Sequence, residues 1–382
     1  MLRTLVSQSP APRVLVADDQ SDVVAALRLL LRCAGLEADG AASVQEVRDR
    51  LSVERYDLLL MDLNYARDTT SGREGLELLA DVHASDPLLP VVVMTGWGSI
   101  DTAVEAMRRG ARTFVHKPWD NAALIATIER EVDDGRAARQ VHREASREHD
   151  DALAIQRALL PLDLPTVPGV DIAARWQPAS AFGGDYYDVV PLGGARLVIS
   201  IADVCGKGLP AALLMAHLQA SGRAAMMADP SPGRVAARVN RELMANARLC
   251  RLVTAFWAVY DTSARRLCYT NAGHNPPLLM RADGSVSHLT SGGMVLGACE
   301  RSSYDVADVA VGRGDRLLLY TDGITEANRE GDQLYGDERL EQAARRLRCL
   351  SAAQMVDALF EEVAAFTGTF RDDATVLAVT IE

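Results

Sequence analysis

Four aspartates lie far apart in the chain yet share one kind of local setting. They are Asp185 in Phe182-Gly-Gly-Asp185, Asp203 in Ile201-Ala-Asp-Val204, Asp322 in Tyr320-Thr-Asp-Gly323 and Asp372 in Arg371-Asp-Asp-Ala-Thr375. Each stands at the edge of an apolar, strand-like run or beside a glycine, where a sheet protein can aim several carboxylates at one point. Hard oxygen donors with no His or Cys among them favour Mg²⁺ or Mn²⁺ over zinc. Two such cations bridged by a carboxylate, roughly 4 Å apart, clamp a phosphate and bring the pKa of a bound water toward neutrality for in-line attack. The chain has no Cys-x5-Arg loop, so hydrolysis by activated water is the consistent chemistry.

Several neighbours of these aspartates carry competing readings. Asp373 can act behind Asp372 through water, and Asp188 reads as a surface or turn carboxylate. His274 is framed by Gly273 and by Pro276 and Pro277, which favours shaping a loop over acid catalysis. Lys207, between two glycines, either holds a phosphate or is simply solvated.

A second group of polar residues closes four apolar runs near the N-terminus. Val14-Leu-Val-Ala17 ends in Asp18 and Asp19, Leu58-Leu-Leu-Met61 in Asp62, Val91-Val-Val-Met94 in Thr95, and Thr113-Phe-Val-His116 in Lys117. Clustered carboxylates repel one another unless a divalent cation binds, and a Lys and a Thr nearby can hold the oxygens of a transferred phosphoryl group.

The elements that position these groups fall into two patterns. Through residues 12–133, continuous apolar strands alternate with helices, which predicts a doubly wound parallel α/β sheet with its chemistry at the carboxyl ends of the strands. Residues 165–382 read instead as successive strands with two helix pairs set apart, an antiparallel α+β sandwich flanked by helices. The strands run from Val170, Tyr186, Leu197, Val253, Arg266, Leu317 and Ala374, and the helices from Pro210, Pro232, Glu338 and Ala352.

Between them, residues 134–164 form a polar helical connector. Ala138, Val141, Ala145, Ala152, Ile155 and Leu159 follow a three-four spacing interrupted only by Glu148, a thin coiled-coil seam suited to homodimer formation. A break near Gly135 is expected to separate this helix from the one before it, and Pro161 and Pro165 end it.

The totals narrow the function further. With 52 acidic and 40 basic residues and a net charge of -12, a general nucleic-acid-binding surface is disfavoured. No stretch approaches the roughly 18 apolar residues of a membrane span, and Met1 to Arg13 lack a signal-peptide core, so a cytoplasmic protein is expected. The cysteines, Cys33, Cys205, Cys250, Cys268, Cys299 and Cys349, show no CxxC spacing and suggest neither disulfides nor zinc.

Residues 12–133 resemble the receiver (CheY-like) domain of bacterial response regulators. The resemblance implies that Asp62 is phosphorylated by a sensor histidine kinase and that Asp18, Asp19, Asp62 and Asn64 surround one Mg²⁺. It also implies that Thr95 and Lys117 contact the phosphoryl group and that Phe114 is the aromatic switch. The longer loop from Asn64 to Gly72 departs from the family pattern and bears on kinase choice or phosphoryl lifetime.

Residues 165–382 resemble the metal-dependent PPM phosphatases of the bacterial SpoIIE-type branch. The matching runs are Phe182-Gly-Gly-Asp-Tyr-Tyr-Asp188, Ile201-Ala-Asp-Val-Cys-Gly-Lys-Gly208, Asn271-Ala-Gly-His-Asn-Pro-Pro277, Leu319-Tyr-Thr-Asp-Gly-Ile-Thr-Glu326 and Asp372-Asp-Ala-Thr-Val376. The Gln-x-x-Leu-Leu-Pro161 ending of the connector resembles the helix that leads into the same branch. This second resemblance implies a binuclear site in which Asp203 bridges two Mg²⁺ or Mn²⁺ ions. The Val204 carbonyl, Asp185, Asp322 and Asp372 would complete it. The implied substrate is a phosphorylated STAS-type anti-sigma-factor antagonist. The rival reading is a catalytically silent adaptor that captures a partner under receiver control.

Overall fold

The computed structural model describes residues 10–65, 73–96, 100–161, 163–193, 195–245, 252–329 and 333–382. Most of the long loop after Asp62, beyond Tyr65, and Cys250 lie outside the described residues. The chain divides into two compact units, Met1–His149 and Asp150–Glu382.

In the first unit, β1 (Arg13–Ala17), α1 (Ser21–Cys33), β2 (Glu37–Ala41), α2 (Val44–Val53) and β3 (Leu58–Asp62) alternate in order. They are followed by α3 (Arg73–Ser85), β4 (Val91–Thr95), α4 (Ile100–Arg108), β5 (Thr113–His116) and α5 (Asn121–Leu159). The sheet order is β2-β1-β3-β4-β5, with every pair parallel. β3 and β4 are buried at every position, as central strands covered on both faces must be. The carboxyl ends of β1, β3, β4 and β5 therefore open on one edge of the sheet.

α5 is one helix from Asn121 to Leu159, so the break expected near Gly135 is absent. A Cβ at Gly135 would lie 2.5 Å from the Pro90 ring, and glycine is what this close approach demands. The roughly 1 kcal/mol that a mid-helix glycine costs is offset where the flanking turns anchor. Arg136 pairs with Asp57 at 2.9 Å and Arg139 with Asp86 at 2.8 Å. Beyond these pairs Val141 and Ile155, two seam positions, are each 65% exposed.

The second unit begins with β6 (Val170–Gln177), β7 (Tyr186–Gly193), β8 (Arg196–Val204), α6 (Leu209–Ala228), α7 (Pro232–Ala245), β9 (Val253–Asp261) and β10 (Arg266–Ala272). Short strands come next, β11 (Leu278–Met280), β12 (Val286–His288), β13 (Gly292–Gly293) and β14 (Ala307–Ala310), before β15 (Arg316–Tyr320) and the single-turn α8 (Asp322–Thr325). The chain closes with β16 (Asn328–Arg329), β17 (Gln333–Leu334), α9 (Gly336–Leu347), α10 (Ala352–Thr367) and β18 (Ala374–Ile381).

These strands build one sheet ordered β13-β10-β9-β8-β7, with β14 also on β10, and another ordered β12-β11-β15-β18-β6. β13 pairs with β10 in parallel, so the sandwich is mixed rather than wholly antiparallel. The cause is local: the chain leaves β10 through the Gly273 turn and passes along β11 and β12 in the other sheet before Gly292 returns beside Asn271. Side-chain alternation along β15 sets the layers. Leu317 and Leu319 enter the core that joins both sheets with α6 and α7, and Leu318 and Tyr320 enter the core under α9 and α10. Among the described residues no helix is long and apolar enough to cross a membrane.

Candidate active site

The ends of β8 and β15, the loop before β7 and the turn before β18 bring the four aspartates of the second unit to one end of the sandwich. Asp185 is fully buried. Its Oδ2 accepts from Thr321 Oγ1 at 2.7 Å and from Thr375 Oγ1 at 2.5 Å, whereas Oδ1 has no hydrogen-bond partner. An open, buried carboxylate oxygen is costly unless a donor or a cation meets it.

The carboxylates crowd one another. Burial first, and then the charges of Asp322, Asp372 and Asp373, push the Asp203 carboxyl up to about 7. Burial, Glu326 and Asp372 push Asp322 up to about 6. Asp185 is raised as well, by burial and by Asp203. An oxygen-only donor set, mutual repulsion and the open Asp185 oxygen together fit divalent cations. Even so, among the described residues no group of three or more His, Cys, Asp or Glu side chains stands as a formed metal site.

Two glycines make room for this crowding. A Cβ on Gly184 would stand 2.9 Å from the Val204 carbonyl oxygen, and one on Gly323 would stand 2.0 Å from that of Asp373. Asp373 itself is engaged on both oxygens. Oδ1 accepts the Ala179 N–H at 2.8 Å and Oδ2 the Gly184 N–H at 2.6 Å, so it ties down the loop that carries Asp185. Asp372 is half-exposed, and Lys207 Nζ lies 3.1 Å from its Oδ2.

Asp188 is not the surface carboxylate that the sequence suggested. It is 1% exposed and accepts from Arg223 Nε and a terminal guanidinium nitrogen, each at 2.8 Å. It lies on β7 two residues after Tyr186 and so shares that residue's face. His274 is buried too. Its Nδ1 meets Thr254 Oγ1 at 2.8 Å, its backbone N–H donates to Asn271 Oδ1 at 2.7 Å, and burial draws the imidazole down to about 4. A ring that stays uncharged and tied to its own turn holds the turn in shape.

Sequence reasoning missed Thr321, Thr375, Arg223 and the role of Gln156. Thr321 precedes Asp322 and Thr375 follows Asp373 by two residues, but their convergence on Asp185 needs the third dimension. Gln156, on the last turn of α5, is 4% exposed. Its Nε2 donates to the Gly183 carbonyl at 2.6 Å and its Oε1 accepts the Gly183 N–H at 3.3 Å.

In the first unit, Asp18 and Asp62 are buried and share Lys117, whose Nζ lies 2.6 Å from Asp18 Oδ2 and 2.8 Å from Asp62 Oδ2. Burial opposes the ammonium charge, but the bonds to the two carboxylates keep its pKa above the usual lysine value. Asp19 and Asn64 are partly buried beside them in sequence. Thr95 Oγ1 lies 3.2 Å from His116 Nδ1, and Phe114, 40% exposed, packs edge-on against the same imidazole.

Comparison with known proteins respects the same division. The response regulator receiver domain family matches residues 14–129, and the Stage II sporulation protein E (SpoIIE) family matches residues 193–382. The phosphoserine phosphatase RsbU of Bacillus subtilis strain 168 is 29% identical over 243 residues, covering 63% of this chain and 72% of that protein. The crystal structure of the RsbU and RsbW domains of a Mycobacterium tuberculosis protein superposes with a TM-score of 0.52 at 29% identity, over 59% of this chain and 63% of that one. The SiaA-PP2C domain of Pseudomonas aeruginosa shares the fold with a TM-score of 0.57 at 22% identity, over 63% of this chain and 99% of that one.

Proposed function

We propose, for a chain that is a CheY-like receiver domain fused to a PPM phosphatase domain of the SpoIIE/RsbU type, a response regulator whose output removes phosphate from phosphoserine or phosphothreonine in a protein. Kinship with PPM enzymes implies a metal-dependent mechanism in general. The observation that carries the specific reading is the crowding of Asp322, Asp372 and Asp373 on Asp203, with Asp185 beside it. Repulsion of this kind is relieved when divalent cations bind.

Asp203, Asp185, Asp322, Asp372 and the Val204 carbonyl would hold two Mg²⁺ or Mn²⁺ ions. When bound, the ions supply a Lewis-acidic clamp on the phosphate and an activated water. Thr321 and Thr375 fix one oxygen of Asp185 so that the other points inward. Asp373 holds the Ala179 to Gly184 loop at the height the shell requires.

Asp62 receives the phosphoryl group from a sensor histidine kinase, with Asp18, Asp19 and Asn64 around one Mg²⁺. Lys117, now shared by Asp18 and Asp62, turns to the new phosphoryl oxygens, and Thr95 and Phe114 carry the switch. The domains run 12–133 and 165–382, joined by a connector over 134–164. Its exposed Val141 and Ile155 support a seam that pairs two copies. Control passes from the seam to the site through Gln156. The substrate is a phosphorylated STAS-type anti-sigma-factor antagonist, consistent with the RsbU and SpoIIE kinship.

The test compares phosphate release from such a phosphoprotein by the intact chain and by Asp62→Ala, with and without a small phosphodonor. A donor-dependent change in the intact chain that disappears in Asp62→Ala is expected. An identical rate in all four arms would remove receiver control and leave the phosphatase.

A further inference from the structure

Lys207 stands where a cation is wanted. Gly206 and Gly208 flank it, both with positive φ (107° and 74°). Nζ lies 3.1 Å from Asp372 Oδ2 and also donates to the Arg371 carbonyl. Its charge reaches further, drawing the Asp322 and Asp373 carboxyls down against the larger upward push of burial. One ammonium thus answers Asp322, Asp372 and Asp373. The lysine side chain is 48% exposed, so it can leave the carboxylate for water.

Resting on the metal-dependent reading above, we propose that Lys207 is an exchangeable counter-ion of the Asp322 and Asp372 side of the site. It occupies Asp372 when no metal is bound and is displaced when a divalent cation takes that carboxylate. A divalent cation brought to the same Asp372 oxygen meets the like charge of the ammonium at close range, and the exposed lysine can give way to it. Metal binding on this side therefore includes the loss of a half-exposed ion pair. Pairs of that exposure weaken a competitor by a factor of up to about five. Lys207 in this way sets the metal concentration at which the site fills.

The experiment uses the intact chain and Mn²⁺ alone. Limited acylation with mass spectrometry reads the reactivity of the Lys207 amine with and without the metal, and calorimetry reads Mn²⁺ affinity of wild type, Lys207→Met and Lys207→Arg. The expected results are a severalfold rise in Lys207 acylation on Mn²⁺ binding, Mn²⁺ affinity about fivefold tighter in Lys207→Met, and near wild-type affinity in Lys207→Arg. Mn²⁺ binding with unchanged or lower Lys207 reactivity overturns the counter-ion role while leaving the metal site intact. Failure of every variant to bind Mn²⁺ overturns both the proposal and the metal-dependent reading beneath it.

Discussion

Gln156, near the end of the long helix α5, grips the backbone of Gly183 from both sides, donating to its carbonyl at 2.6 Å and accepting from its N–H at 3.3 Å. Gly183 lies two residues before Asp185. The helix end and the loop that presents a proposed metal ligand are therefore one hydrogen-bonded piece, and a shift of the helix must either carry the loop or break the grip.

Breaking the grip is predicted to loosen the site. Two neutral hydrogen bonds contribute about 1 kcal/mol each, so Gln156→Leu is expected to lower phosphatase activity by up to about thirtyfold at limiting Mn²⁺ and to recover in part at high Mn²⁺. A metal titration of activity checks this. Wild-type activity across the titration would mean that the contact is only structural.

The orientation of Asp185 is predicted to depend on the hydroxyls of Thr321 and Thr375. Groups that hydrogen-bond a metal ligand and hold its orientation typically matter by about 10–100-fold in metal affinity. Thr321→Val with Thr375→Val should therefore weaken Mn²⁺ binding by a factor in that range, measured by calorimetry, with little loss of packing volume. Unchanged affinity would release Asp185 from its assigned role.

The buried Asp188 is predicted to matter for stability and not for chemistry. Removing one partner of a buried pair costs about 3–5 kcal/mol, but the Arg223 side chain is 44% exposed and can turn to water, which discounts the figure to about 2 kcal/mol. Asp188→Ala should lower the urea midpoint accordingly, and adding Arg223→Met should recover part of the loss. A midpoint that does not move would contradict the pairing.

The raised carboxyls predict an unusual pH dependence of the metal-free protein. Asp203 near 7 and Asp322 near 6 bind protons more tightly folded than at their ordinary 3.8. Their contribution to stability is whole below about pH 4 and is lost as pH rises through 6 to 7. Metal-free protein should therefore melt at lower temperature at pH 8 than at pH 5. Asp203→Asn should flatten that slope, and Mn²⁺ should restore the loss at pH 8 by replacing the protons. A wild-type slope no steeper than that of Asp203→Asn would be the contrary result.

Much of this was legible in the chain itself. Continuous apolar runs ending in Asp18, Asp62, Thr95 and Lys117 specified a parallel sheet, because strands buried on both faces are apolar at every position. Asp185, Asp203, Asp322 and Asp372 could be singled out because each stands at the edge of a strand-like run or beside a glycine. What stayed hidden depended on partners distant in sequence. Asp188 looked like surface because Arg223, its neutralising partner, comes 35 residues later on α6. Gly135 looked like a helix breaker because Pro90, the ring it makes room for, belongs to another element. The two-residue β13 has no periodicity to read, and its parallel pairing with β10 results from the path of the loops around it.

The most direct test of the central claim is Mn²⁺-dependent phosphate release from a phosphoserine protein substrate, comparing the intact chain with Asp203→Ala and Asp322→Ala. Release that requires the metal and is lost in both variants is expected. Capture of the phosphoprotein without release, or release that persists in Asp203→Ala, would contradict it, the former favouring an adaptor that binds a partner without turning it over.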